Sequence, residues 1–548
     1  MAVNRHRLFL ATGTLALLLA GTAAGQTMPP QPSPPNAQLG PVCPIPVMET
    51  PLPSHPPSNA LPYRPFPPAW QAQIDQLVAS DTIPGAVIIV KSPVWGVRVG
   101  TTGYSNLPLK IKPNPGQQFR VGSVSKMFLA QEFLQLEQAG LVKLSDPVLK
   151  YLGDDPVIVA IPNIKNITIA ELLQHTSGIA SYTADPTVAN SFYVTPNKQY
   201  TPNELMATLD PGSTPVLPPD FAPGATYPNP YWVTLGKSAP PAPAPYPWWF
   251  YSNSNYILLG MIAERLTKMP AAEILRHYVT DKAGLKDTFL AENEKRLPYM
   301  HGYSKYEANL SSQIYDHWCD VTAVNPSAAW TAGAVISTPW DLLKFAETVF
   351  KTDTFLNEGT KLKWLSFVSA DIHYGWEPME YGVGGIMEPH RAYGDFRGHG
   401  GAFLGYKTLV YYFWDSDTYF ILASNTWDGE AENTMLNNVM PFVVGPVTTP
   451  KPRNLGSAAL GRPRTLAVSW QAGRYDALSY RVYNGVNHDQ VDGATAENHP
   501  GVQVQDVPGV NAVLRDVRPA AANYWRVDIV SAQGVVPGPV WQFHAAGG

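Results

Sequence analysis

Residues 26–68 are dense in proline, as in the run MPPQPSPPNAQLGPVCPIPVMETPLPSHPPSNALPYRPFPP. Each proline ring fixes φ near −65° and removes a backbone donor, so this stretch is expected to form neither a helix nor a ladder and to read as an extended leader. The folded mass must follow it. A chain of 548 residues leaves room there for two domains with sizeable cores.

Residues 69–445 carry mixed periodicities. AWQAQIDQLVAS has helical spacing, and GAVIIVKS and WGVRVGTTG read as strands. Helix starts follow. Thr168 and Glu171 stand at capping-box spacing in TIAELLQH, and Thr201 and Thr338 each precede a proline at a first helical position. After Gly405 the pattern returns to strands, YKTLVYYFW and TYFILASNTW, and EAENTMLNNVMPFVV closes the region as a helix. Strands at both ends with helices between predict an α+β domain with a sheet assembled from both ends, plus a helical lobe. A linker is expected at 446–463. Residues 464–548 then read as a small all-β sandwich, from TLAVSW, SYRVYNG, AVLRDV, NYWRVDIVSAQG and GPVWQFH. The strand rhythm and Tyr-Trp pair of this tail resemble a fibronectin type III domain.

At the N-terminus Arg5 and Arg7 precede an apolar run over 8–20 and small residues over 21–25. This predicts a signal peptide spanning 1–25, hence export to a periplasmic or secreted location with no transmembrane anchor after cleavage. Net charge is −5 and only 15% of residues are charged, with no basic run, so a nucleic-acid partner is not expected. The two cysteines, Cys43 and Cys319, could pair in an oxidising compartment, although sequence does not set their distance.

The chemistry concentrates in FRVGSVSKMFLAQEF. Ser123 and Lys126 are three apart and share one face of a helix start. A serine hydroxyl needs a base, and an amine surrounded by Val121, Val124, Met127, Phe128 and Leu129 would lose pKa by desolvation. Two later stretches join it: Tyr251-Ser252-Asn253 before an apolar helix, and His399-Gly400-Gly401 entering a strand. Taken singly, Tyr251 reads as a core tyrosine, Asn253 as a cap and His399 as a structural histidine.

In this order the three elements resemble the serine β-lactamase and penicillin-binding-protein superfamily, in the branch of class C β-lactamases, D-Ala-D-Ala carboxypeptidases and esterases. Its signatures are Ser-x-x-Lys, Tyr-x-Asn and Lys/His-x-Gly. The resemblance spans about residues 75–440 and implies a two-lobed body whose sheet is antiparallel and flanked by helices. It implies that Ser123 is acylated, that Lys126 holds or shuttles its proton, and that Tyr251 is a second acid/base whose phenol pKa is lowered by Lys126. Asn253 would orient the substrate amide and Lys126. The N–H groups of Ser123 and Ala402 would form the oxyanion hole, and Gly400 and Gly401 would complete the strand motif, Gly401 leaving its edge bare for substrate. His399 stands where many members have lysine and, if it titrates near 6.5, would favour a substrate carboxylate only at lower pH. His175 in LLQHTSGI reads as a structural hydrogen-bonder.

The resemblance implies no metal or organic cofactor. It predicts an exported serine hydrolase acting through an acyl-enzyme on a small-molecule or peptide substrate, cell-wall-derived peptides among the candidates. A class C-like β-lactamase is the alternative within this class, and a non-catalytic penicillin-binding-like module the alternative outside it. An α/β-hydrolase would require a Gly-x-Ser-x-Gly elbow, which the sequence lacks. The insertion 225–249 contains Trp232, Trp248 and Trp249, which could wall the pocket or pack a surface loop.

Overall fold

The structure, a computed structural model, describes residues 59–545 apart from 210–248, 292–299, 306–316, 370–378, 390–394, 459–464 and shorter stretches between them. The expected signal peptide, most of the proline-rich leader, Cys43, Trp232 and Trp248 lie outside the described residues.

The main body is built on a nine-stranded sheet of β1 (Arg64–Pro65), β2 (Gly85–Ser92), β3 (Gly96–Gly103), β4 (Phe367–Ser369), β5 (Met379–Gly382), β6 (Ile386–Pro389), β7 (Arg397–Phe403), β8 (Tyr406–Phe413) and β9 (Thr418–Ser424), in the order β1-β3-β2-β9-β8-β7-β6-β5-β4. β9 lies antiparallel beside β2, Ile421 opposite Ile89, so both ends of the domain meet in the sheet centre as expected. These central strands are buried on both faces and are therefore near-continuously apolar, not alternating. One expectation needs correction. The leader is expected to form no ladder, yet Arg64–Pro65 pairs parallel with β3 and Phe66 is buried. An outermost strand needs a donor on only one side, so proline is tolerated there.

Five helices position the body: α1 (Pro68–Ala79), α2 (Ser125–Gln138), α3 (Asn253–Thr267), α4 (Pro339–Lys351) and α5 (Ala431–Val443). α1 and α5 cover one sheet face, through Trp70, Ile74, Met435, Leu436 and Val439 against Ile88, Leu409 and Phe420. α2, α3 and α4 fill the other side, in a core that includes Phe128, Phe133, Ile257, Leu258 and Phe345. Thr168 and Thr201 form capping boxes with Glu171 and Glu204, and Thr338 caps α4. α2 is buried on nearly every side. A helix so enclosed is fixed by tertiary packing, and its polar residues must find partners inside.

The C-terminal residues form two sheets, Val447–Lys451, Leu466–Ala472 and Asn511–Leu514 in one, and Gly456–Ala458, Val540–Ala545, Ala522–Ser531, Ala477–Gly485 and Gln503–Val507 in the other. Val468, Trp470 and Leu514 from the first share a core with Val482, Trp525 and Trp541 from the second, which makes a sandwich. The expected linker is partly structured, since residues 447–451 and 456–458 pair into these sheets. Among the described residues no helix is long and apolar enough to cross a membrane.

Phe128 of α2 stacks on Phe345 of α4 with ring centroids 3.9 Å apart. Phe128→Ala is expected to destabilise the body by about 3–5 kcal/mol through lost contact and a residual cavity. Chemical denaturation checks this, and a loss under about 1 kcal/mol would show that the stack does not hold α2.

Candidate active site

Ser123 lies in a single 3-10 turn, Gly122–Val124, that leads directly into α2. Gly122 has φ +54°, and a Cβ there would meet the Ala402 backbone nitrogen at 2.5 Å. A Cβ on Gly401 would meet the Val121 carbonyl at 1.9 Å. The turn and β7 thus interlock at backbone distance, which only glycine permits on both sides. The space beside Gly401 that sequence assigned to substrate is, at that atom, taken by the protein's own turn. Beyond Gly398, where β6 pairs with it, β7 has no strand partner on that side among the described residues. A peptide-like backbone could therefore align there.

Lys126, in the first turn of α2, is fully buried. Its Nζ lies 3.1 Å from Ser123 Oγ, 2.8 Å from Asn253 Oδ1 and 2.8 Å from the carbonyl oxygen of Ala332. Burial pushes the amine's pKa well below its ordinary value. The faces of Tyr251 and Tyr256, 4.9 and 5.3 Å away, favour the ammonium in the opposite sense. Such contacts give up to about 2 kcal/mol, against several kcal/mol for desolvating a cation, so burial wins. A neutral amine has two N–H bonds and one lone pair. Asn253 Oδ1 and the Ala332 carbonyl can only accept, so they take both N–H groups and the lone pair is left for the Ser123 hydroxyl.

α3 supplies the second wall. Asn253 opens this helix, and its Nδ2 donates to Thr183 Oγ1 at 3.3 Å while its backbone N–H donates to Ser181 Oγ. The 175–184 loop is tied down further by Ser254 and Asn255. His175 sits at φ +61° just past Gln174, which caps the short helix Ile169–Leu173, and there Thr176 N–H bonds to the Glu171 carbonyl and His175 N–H to that of Leu172. This Schellman-type end normally carries glycine. Here the side chain is used: Nδ1 accepts the Ser252 N–H at 3.1 Å and the ring lies 4.3 Å from that of Tyr251.

A family model described as Beta-lactamase matches residues 70–440. The chain belongs to the beta-lactamase family. Penicillin-binding protein 4* of Bacillus subtilis (strain 168) is 24% identical over 351 residues, 63% of this chain and 68% of that protein. Among solved structures, a D-stereospecific amidohydrolase from Streptomyces sp. superposes with a TM-score of 0.53 at 27% identity, covering 68% of this chain and 97% of that one. The D-amino acid amidase of Ochrobactrum anthropi SV3, at 20% identity and a TM-score of 0.54, covers 68% of this chain and 98% of its own, and shares the fold.

Within this beta-lactamase-family body Ser123, Lys126 and Asn253 are joined by direct hydrogen bonds. Tyr251 is present beside them but in another state than expected. The lysine lies over its ring, and burial raises its phenol pKa well above the ordinary value, with a smaller opposing pull from the Ser123 hydroxyl. Its hydroxyl has no full hydrogen bond among the described residues. His399 also departs from expectation: buried beside Lys126, it is lowered to about 3 and is neutral throughout pH 5–8. The carboxylate preference expected to fade with rising pH therefore has no titrating group behind it. Cys319 is disulfide-bonded, and the other cysteine of the chain, Cys43, lies outside the described residues.

Sequence reasoning missed Thr183, Tyr381 and the Ala332 carbonyl. Tyr381 packs with Trp249, Tyr251 and Met387 in an aromatic wall, so Trp249 belongs to the site. Trp330, at φ +33°, starts the short helix that presents the Ala332 carbonyl. Strain of this kind in a bulky residue is a structural signal that sequence does not carry.

The buried amine has a thermodynamic signature. Between its folded pKa and the unfolded value near 10.5, the unfolded chain holds one more proton, so stability rises with pH in that window, by up to about 1.4 kcal/mol per unit. Lys126→Met removes this group. The variant's stability relative to the parent is expected to increase as pH falls from about 10 to 7, measured by denaturation at each pH. Parallel pH profiles for the two proteins would mean that Lys126 is not depressed.

Proposed function

We propose that the protein is a hydrolase in which Ser123 attacks an amide or ester carbonyl, forms an acyl-enzyme and is released by water. The observation that carries this reading is the bond between Lys126 and Ser123, with both lysine N–H groups directed to carbonyl oxygens. Ser123 Oγ gives its proton to the Nζ lone pair as the C–O bond forms, and the three N–H groups of the resulting ammonium are held by Asn253 Oδ1, the Ala332 carbonyl and the deprotonated Ser123 oxygen. Tyr251, protonated in the resting state, is assigned the transfer of a proton to the leaving atom. Backbone N–H groups of Ser123 and Ala402 are assigned to the developing oxyanion, since the glycine interlock brings the two segments together.

The substrate class best supported is a peptide, amide or ester, in the manner of a D-Ala-D-Ala carboxypeptidase, amidase or esterase. Likeness to the D-stereospecific amidohydrolase supports an amide, and the uncharged His399 weighs against a β-lactamase that relies on a cation for the substrate carboxylate. We also read the protein as exported, which the disulfide at Cys319 supports, and the tail as a fibronectin type III-like module, which its two-sheet core supports.

Parallel turnover of a nitrophenyl ester, a D-Ala-D-Ala peptide and a chromogenic cephalosporin, with intact-mass detection of the adduct, tests the reading. Ser123→Ala is expected to abolish the adduct, and Lys126→Ala to slow acylation by about 10²–10⁴-fold. An adduct that persists in Ser123→Ala, or rapid acylation in Lys126→Ala, would contradict the assigned roles.

A further inference from the structure

His399 has two ring nitrogens, and both are engaged inside the protein. Nδ1 meets the carbonyl oxygen of Gly400, which can only accept, so Nδ1 carries the hydrogen. Nε2 is then the acceptor, and the hydroxyl of Tyr381 donates to it at 3.1 Å. The ring is 0% exposed. The groups that face it are Tyr381 from β5, Lys126 from α2, Tyr251 ahead of α3, and His175 from the loop after Ile169–Leu173. None of these is a carboxylate; the Gly400 carbonyl alone pulls toward an imidazolium, and burial outweighs it.

Tyr381 is itself fixed by the hairpin β5–β6. Tyr381, Met387 and Gly398 occupy one row across three strands, so β5 is registered against the start of β7, where the Tyr381 hydroxyl reaches His399. The tip of the hairpin rests on the catalytic helix: a Cβ on Gly385, at φ +63°, would lie 2.8 Å from the Lys126 carbonyl oxygen. The same hairpin thus touches α2 at Lys126 and holds the histidine of β7.

We infer that Tyr381 is a positioning residue that withdraws His399 from substrate recognition, so that the part of the substrate lying along β7 is uncharged and not a carboxylate. The inference rests on the acyl-serine reading above. It specifies the substrate class within that reading: carboxamides, esters or internal peptide bonds, in preference to bonds next to a free carboxyl terminus. The missing charge is a consequence of one tyrosine hydroxyl and of burial, not of histidine as a residue type.

The test uses the full chain, its Tyr381→Phe variant and two aryl esters of the same acyl group, one leaving as phenol and the other as 3-hydroxybenzoate. Ser123 acylation by each ester is followed by intact mass from pH 5 to 8, and the His399 ring is followed by NMR over the same range. In the parent the ratio of rates for the two esters is expected to stay within about twofold across this range, and the ring signals to stay fixed. In Tyr381→Phe, Nε2 is released, and the ratio is expected to shift toward the carboxylate ester by about tenfold at pH 5 relative to pH 8, with ring signals that move. A parent that prefers the carboxylate ester at pH 5 and loses that preference by pH 8 would overturn the inference. So would parent ring signals that titrate between pH 5 and 8, or a variant identical to the parent in both readouts. Absence of any adduct with either ester would overturn the acyl-serine reading instead, and the NMR titration would still decide the pairing of Tyr381 with His399.

Discussion

A primary amine enclosed by protein on every side is the constraint around which the rest of the site is organised. Leaving Lys126 charged would cost several kcal/mol of lost hydration, more than the two tyrosine faces return. The alternative is a neutral amine, and that state is useful only if its lone pair points somewhere. Two carbonyl-type oxygens, from Asn253 and Ala332, settle the direction by claiming the N–H bonds. Those two acceptors come from elements 79 residues apart in sequence (253 and 332), so the folding of α3 and of the short helix Trp330–Gly333 is what orients the amine.

The same enclosure governs the neighbouring groups. Tyr251 is kept protonated and His399 neutral by burial. The result is a site with almost no net charge in its resting state, consistent with the low charge content of the chain. In the proposed acylation, charge would appear only as the proton passes from Ser123 to Lys126, and the bonds from Nζ to Asn253 Oδ1 and the Ala332 carbonyl would then become charge-assisted and stronger. Interactions that strengthen along the reaction are those that accelerate it.

Much of this fold was legible because its signals are local. Thr168, Thr201 and Thr338 announce helix starts within four residues, and the apolar runs at 85–92, 406–413 and 418–424 announce buried strands. Ser123, Lys126, Tyr251 and Asn253 were legible as motifs whose spacing survives in the sequence. Tyr381 and Thr183 were not, since nothing near either residue marks it and only the hairpin β5–β6 and the 175–184 loop bring them in. The charge states of Tyr251 and His399 differ from the sequence expectation for a related reason: an ordinary pKa belongs to a residue type, whereas burial belongs to the folded surroundings. The same holds for the proline at 65. Its residue type argues against a ladder, and its edge position in the sheet is what allows it to pair.

Direct titration of the Lys126 amine tests the central claim most closely. Lysine-selective NMR of the full chain, with the Lys126 signal assigned by its loss in Lys126→Arg, follows the side-chain carbon next to Nζ as pH is raised. This signal is expected to titrate well below the exposed lysines, or to be already that of a neutral amine at pH 7. A Lys126 signal that titrates together with the exposed lysines near pH 10.4 would contradict the neutral, base-competent amine on which the site depends.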